Sequence, residues 1–180
     1  MSNIYNHLAL PDRVLIEYKS DNYNPTRQRR KGHGNERERE EIAATLLAIE
    51  KGINERWNKG DVDGALEIYS DDVTYFDPMT EMRLEGRKAV EAYFRRFFEG
   101  KLNILRNEFP NPQAIISEAG DMAVVSYNLV NYVSDGQAGE KLDSPRNATM
   151  VYRQIDGRWR VVHVNWSFTR HPAVMQALMA

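Results

Sequence analysis

The hydrophobic period changes once along this chain, and that change limits the folds open to it. From Glu36 onward apolar residues recur at helical spacing: Ile42, Leu46, Ile49, Ile53 and Trp57 lie four, three, four and four positions apart, one stripe of a long amphipathic helix. After Phe109 the period becomes that of strands. Helices first and strands afterwards, with no βαβ alternation, give an α+β class: a curved antiparallel sheet packed against three helices in the N-terminal half. Gly60 closes the first helix and Asp61 caps a short second one reaching Tyr69. Val73–Phe76 is a β-branched and aromatic run that meets a turn at Asp77-Pro78, with a short partner strand at Met82–Leu84. Gly86 precedes a third helix, Arg87–Phe98, in which Val90, Phe94 and Phe97 or Phe98 share a face. The long strands are Gln113–Glu118 with Met122–Val133, then Asn147–Ile155, then Trp159–Phe168, with turns at Ala119-Gly120-Asp121 and Asp156-Gly157. Ser134–Pro145 reads as a polar loop.

The 180 residues suit one domain of about 150 plus an appendage. Residues 1–34 hold six basic and three acidic side chains, while the remainder holds eighteen and twenty-three. Charge therefore shifts near Gly32–Asn35, where glycines suit a flexible joint. This predicts a basic N-terminal extension at 1–34, a folded domain at 35–171 and a tail at 172–180. Within the extension, Val14–Tyr18 suits a strand or docking stretch and Arg27–Lys31 a solvated linker. A net charge of −2 on a chain that is 42% hydrophobic points to neither nucleic acid nor a membrane surface as partner. The absence of cysteine removes disulfides, thiolate metal sites and cysteine nucleophiles together. The opening MSNIYNHLAL is unlike a signal peptide, and no apolar run nears the roughly 20 residues a bilayer requires. The expectation is a cytoplasmic protein, with the sequons at Asn147 and Asn165 arising by chance. Phosphate-binding, nucleophile-elbow and zinc-protease motifs are missing, and His7, His33, His163 and His171 lack metal-ligand spacing. Neither metal nor cofactor is expected.

Asp72-Val73-Thr74-Tyr75-Phe76-Asp77-Pro78, then Leu84-Glu85-Gly86-Arg87 and the helix AVEAYFRRFF, resembles the nuclear-transport-factor-2-like superfamily, which includes SnoaL-like proteins, ketosteroid isomerases and kinase association domains. The likeness continues through Asn147–Arg153, Asp156–His163 and Asn165–Phe168, covering about residues 38–170. It implies a cone-shaped fold, and a fold of this kind hosts enzymes and non-enzymes alike.

By this resemblance Asp77 falls where isomerases keep an aspartate general base. A carboxylate beside Tyr75, Phe76 and the aromatics of the third helix would be partly desolvated, which raises its proton affinity. An aspartate before proline also serves as an ordinary turn cap, and both roles stand open. Trp166, Asn128 and Met150 match cavity positions of the family. Strict alternation puts Val162, Val164 and Phe168 with Trp166, Ser126 and Val130 with Asn128, and Ala148 and Tyr152 with Met150. The resemblance thus implies a pocket for a small hydrophobic molecule, with Tyr75, Tyr93, Phe94, Asn128, Met150, Tyr152, Trp166 and Phe168 contacting the ligand. Two departures matter. The isomerases' oxyanion donors, a tyrosine and a protonated aspartate, match Ile53 and Met150, neither of which can donate, so steroid isomerisation is not expected. The arginines of the kinase association domains fall at Asn128, Met150 and Trp166 and are absent.

His163, between two valines, reads as a structural or interface residue facing away from Trp166. With Tyr127, Leu129, Asn131, Thr149, Val151 and Val161 it predicts an outer sheet surface through which two copies pair as a homodimer. Two functions remain: an isomerase, cyclase or hydrolase using Asp77 as base, or a non-catalytic ligand-binding or oligomerisation module with a vestigial pocket.

Overall fold

The computed structural model describes residues 33–99, 103–134, 136–143 and 145–169. The extension with Val14–Tyr18 and Arg27–Lys31, and the tail at 172–180, lie outside the described residues. Helix α1 spans His33–Asn58, so it takes in His33–Asn35, where the glycines suggested a joint. Its buried edge is Leu46, Glu50 and Asn54, one residue every turn, with Ile42, Ile49 and Trp57 packed beside it. Gly60 leaves the helix at φ 75°, a conformation that costs glycine little. Asp61 then caps α2, Val62–Leu66, by accepting a hydrogen bond from the Gly64 amide at 2.8 Å. That helix is shorter than its apolar spacing suggests, because Tyr69 already belongs to strand β1, Tyr69–Phe76.

Strand β2, Leu84–Glu85, pairs antiparallel with Thr74 and Tyr75. Helix α3, Arg87–Phe97, buries Val90, Tyr93 and Phe94. It packs them into an aromatic cluster in which the Phe94 ring lies 4.8 Å from Trp57 and 5.5 Å from Tyr75. On the solvent side Arg95 bridges Asp63, Glu91 and Glu99.

The remaining strands are β3 (Ile104–Glu108), β4 (Gln113–Ile116), β5 (Met122–Ser134), β6 (Glu140–Leu142), β7 (Arg146–Ile155) and β8 (Arg158–Phe168). The sheet runs β2-β1-β8-β7-β5-β3, with β4 and β6 also on β5. Strands β3 and β6 carry no apolar alternation, which is why the sequence reads as loop there. Both are held by backbone pairing to β5 and by Arg106, which bridges Glu108 at 2.6 Å and Glu140 at 2.5 Å. One pairing departs from an all-antiparallel sheet: β1 lies parallel to β8, with Thr74 opposite His163 and Phe76 opposite Asn165.

The concave face carries the core. Along β5 the buried residues are Ala123, Val125, Tyr127, Leu129 and Asn131, and along β7 they are Ala148, Met150 and Tyr152. This corrects the predicted faces of β5, since Tyr127, Leu129 and Asn131 point inward while Ser126, Asn128 and Val130 point outward. In β8 a bulge breaks the alternation. Tyr152 is opposite Val161 and Val151 opposite His163, so Val162 is the extra residue and Val161 and Val164 both face the core. Thr149, Val151 and His163 remain outward as predicted. No helix among the described residues is long and apolar enough to cross a membrane.

Candidate functional site

Between the concave sheet face and the helices lies a cavity of about 290 Å³, close to the lower end of the range for small-molecule sites. Its apolar wall includes Ile53, Trp57, Phe94, Phe98, Leu129, Met150 and Trp166, and its polar groups include Glu50, Asn54, Asp77, Asn131 and Arg146. Ile53 and Met150, the residues without donor groups, thus do line it.

Asp77 stands one residue past β1, its side chain 2% exposed. Its two oxygens have different duties. Oδ1 accepts the Met79 amide at 2.9 Å, while the Asp77 carbonyl accepts the Thr80 hydroxyl at 2.9 Å, which makes the turn. Oδ2 stands 3.5 Å from both the Tyr75 hydroxyl and Arg146 Nη1. The turn-cap role is thus present on one oxygen, and the carboxylate also lines the cavity, where Tyr93 is hydrogen-bonded to it. The Tyr93 phenol is held protonated first by burial and then by the charge of Asp77.

A second carboxyl, which the sequence analysis left unnamed, occupies the α1 side. Glu50 is 2% exposed. The Tyr127 Oη lies 2.9 Å from its Oε2, the Tyr152 Oη makes a short contact with its Oε1, and Asn54 Nδ2 donates to the Tyr127 oxygen at 3.3 Å. Burial drives the Glu50 pKa upward, and the hydrogen bonds from Tyr152 and Tyr127 oppose that rise. The three phenols nearby, Tyr69, Tyr127 and Tyr152, are all pushed upward, chiefly by burial and next by Glu50. Asn131, 7% exposed, lines the cavity with an Oδ1 that has no hydrogen-bond partner among the described residues.

The structure brings Tyr75, Phe94, Met150 and Trp166 to the cavity around Asp77. Tyr93 packs behind it, 6.0 Å from the Tyr75 ring, and Tyr152 lies beneath it against Glu50. Asn128 is placed elsewhere. It belongs to an outer-face amide ladder, accepting from Asn111 at 3.0 Å and donating to Asn147 at 2.7 Å, because the register of β5 is one residue from the one expected. Phe168 closes β8 beyond the cavity, 51% exposed, with the Arg146 guanidinium 5.4 Å from its ring. Glu50 and Asn54 had a signal: they continue the four-residue spacing from Leu46 along the apolar stripe. Arg146 had none, as it begins a strand after a polar loop. Among the described residues no three His, Asp or Glu side chains gather as metal ligands.

A sheet wrapped over helices around a half-polar cavity defines an α+β cone with an internal site. The chain belongs to the SnoaL-like domain family, whose model matches residues 48–171. No curated protein sequence matches it. Its structure is similar to that of a ketosteroid isomerase candidate from Parabacteroides distasonis, at 26% identity and TM-score 0.59 over 71% of this chain and 87% of that one. It is also similar to the association domain of Caenorhabditis elegans CaMKII, at 20% identity and TM-score 0.61 over 76% and 99%. A third neighbour is Aln2 from a Streptomyces species, at 16% identity and TM-score 0.63 over 76% and 96%. At such identities the last two bear on the fold alone.

Proposed function

We propose that the cavity binds a small hydrophobic molecule and that Asp77 acts on it as a general base, in chemistry of the isomerase, cyclase or hydrolase class. The observation that carries this reading is the division of labour at Asp77: Oδ1 is committed to the turn, while the carboxylate lines the cavity with Oδ2 3.5 Å from the Tyr75 hydroxyl and Arg146 and with the Tyr93 phenol hydrogen-bonded to it. The test is Asp77→Asn. Asparagine keeps the oxygen that accepts the Met79 amide, so the melting temperature and ligand affinity hold, while turnover falls about 10²–10⁴-fold through loss of the base. Unchanged turnover would refute the catalytic role and leave the second reading, a binding module without chemistry. That reading is favoured by Ile53 and Met150, which put no hydrogen-bond donor where the isomerases keep theirs.

We also propose that two copies pair through the outer face. Among the described residues the three helices pack on the concave side, and the outer face offers Val124, Val130, Val151 and His163 half-exposed. A monomeric mass by light scattering at micromolar concentration would refute it.

A further inference from the structure

We propose that Glu50 and Tyr127 act as one unit that presents a single hydrogen-bond donor to the cavity, selecting ligands that carry an oxygen acceptor such as a ketone. This deepens the reading of the cavity as a small-molecule site and rests on it.

The argument is a count of hydrogens. Glu50 is buried among Tyr127 from β5 and Tyr152 from β7, with Tyr69 of β1 nearby and Asn54 on its own helix. No cation stands among these neighbours, and removal from water favours the neutral acid. A neutral carboxyl and two phenols own three hydrogens, and the two contacts at Oε1 and Oε2 use two. One hydrogen is left over and has to point somewhere.

It cannot be left on Tyr152. That residue is 0% exposed and does not line the cavity, so a phenol hydrogen turned away from Glu50 would be stranded in the core, which is costly. Tyr152 therefore donates to Oε1, and of the two hydrogens left on Glu50 and Tyr127, both of which line the cavity, the carboxyl's is the more acidic, so the acid donates through Oε2 to the Tyr127 oxygen. Tyr127 Oη then accepts from both Glu50 and Asn54 Nδ2, and its own hydrogen is directed into the cavity, whose wall it forms. Were Glu50 ionised, both phenols would donate to it and the cavity would lose this donor.

The sheet register fixes where the donor stands relative to Asp77. Tyr127 is opposite Ala148, Ala148 is opposite Trp166, and Phe76 is opposite Asn165, so Asp77 falls one step on, beside Trp166. Asp77, Trp166, Ala148 and Tyr127 thus lie in one row across the sheet. At about 4.8 Å per strand, the backbones at its two ends are on the order of 14 Å apart, and the inward side chains shorten the gap. A one- or two-ring molecule spans it, with its oxygen at Tyr127 and the remainder stacked on Trp166, whose ring is 6.1 Å from that of Tyr127.

The test uses two probes, 2-acetylnaphthalene and 2-ethylnaphthalene, which share a ring system and differ in the ketone. Their Kd values are measured by calorimetry on the full chain, wild type, Tyr127→Phe and Glu50→Gln, and infrared difference spectra of wild type against Glu50→Gln are recorded at pH 7. The expected result is a protonated-carboxyl C=O band assigned to Glu50, together with a preference for the ketone that drops about three- to tenfold in Tyr127→Phe. Glu50→Gln retains the preference, because its amide donates to Tyr127 as the neutral acid does. An ionised-carboxylate signal overturns the proposal even if Tyr127→Phe fails to fold. Binding of both probes with the same ratio in wild type and Tyr127→Phe overturns it while leaving the cavity reading intact. Failure of both probes to bind at all overturns the cavity reading itself and the inference with it.

Discussion

Replacing Glu50 by glutamine and varying pH exposes the buried acid without any ligand. Glutamine copies the shape of the neutral carboxyl, so at pH 4 and below, where Glu50 is protonated in folded and unfolded chains alike, the two proteins should melt within a degree or two of each other. The folded-state pKa of Glu50 is raised above its ordinary 4.5 by burial. As pH climbs past that value the unfolded chain releases its proton while the folded chain retains it, so wild-type stability falls relative to the variant. The slope is one proton, about 1.4 kcal/mol per pH unit. For a domain of this size that is about 3–5 °C per pH unit. The loss ends where folded Glu50 ionises, and the pH of that plateau reports its pKa. Groups common to both proteins, His163 and Asp72 among them, cancel in the difference. The phenols facing Glu50 are displaced upward and stay silent through this range. The assay is a pair of melting series from pH 4 to 8. Parallel curves, or a wild type that gains on the variant as pH rises, would show that the phenols hold Glu50 as an anion and would refute the reasoning.

Tyr152→Phe removes a donor from a fully buried carboxyl and should cost about 1–3 kcal/mol by denaturant unfolding at neutral pH. Leu46→Ala, at 0% exposure, should cost about 2–5 kcal/mol in the same assay. His163 has its pKa lowered by burial and then by Arg83. The unfolded chain therefore takes up a proton first on acidification, and stability should fall as pH drops below about 6.5, a component missing from His163→Gln. If the proposed pairing through the outer face holds, Val151→Glu there should give a monomeric mass by light scattering where the wild type gives a dimer, without altering the melting temperature of dilute samples.

Much of the architecture was legible because long amphipathic patterns dominate it: α1, α3, β5, β7 and β8 all start or end within a few residues of where periodicity puts them. What failed did so for local reasons. The family resemblance sets the parity of β5 by Asn128 and so turns Tyr127 outward, whereas in the fold Tyr127 is buried on the inner face. The residues themselves argued otherwise, since Ala123, Val125, Tyr127 and Leu129 form a more apolar alternation than Val124, Ser126, Asn128 and Val130. The bulge at Val162 left no trace in composition and reversed the face of Val161. Glu50 was overlooked because a carboxylate on an apolar stripe looks like a solvated interruption until its phenol partners, 77 and 102 residues away in sequence, are brought alongside. Asp77 was legible as a residue and as a turn, and only coordinates could show that its two oxygens face different surroundings.

The parallel pairing of β1 with β8 also has a consequence for how the domain is made. Thr74 and His163 are 89 positions apart, and contacts of such separation slow folding because a long loop closes before they form. A chain leaving the ribosome completes α1, α2 and β1 well before residues 161–165 exist. Throughout that interval β1 has only the two-residue β2 as a strand partner, and its other edge shows unpaired amides and carbonyls, the kind of surface that invites pairing with a foreign strand. The row that joins Asp77 to Trp166 is therefore among the last contacts synthesis permits, and a ribosome stalled before β8 would hold a chain with Asp77 present and the wall beside it not yet built.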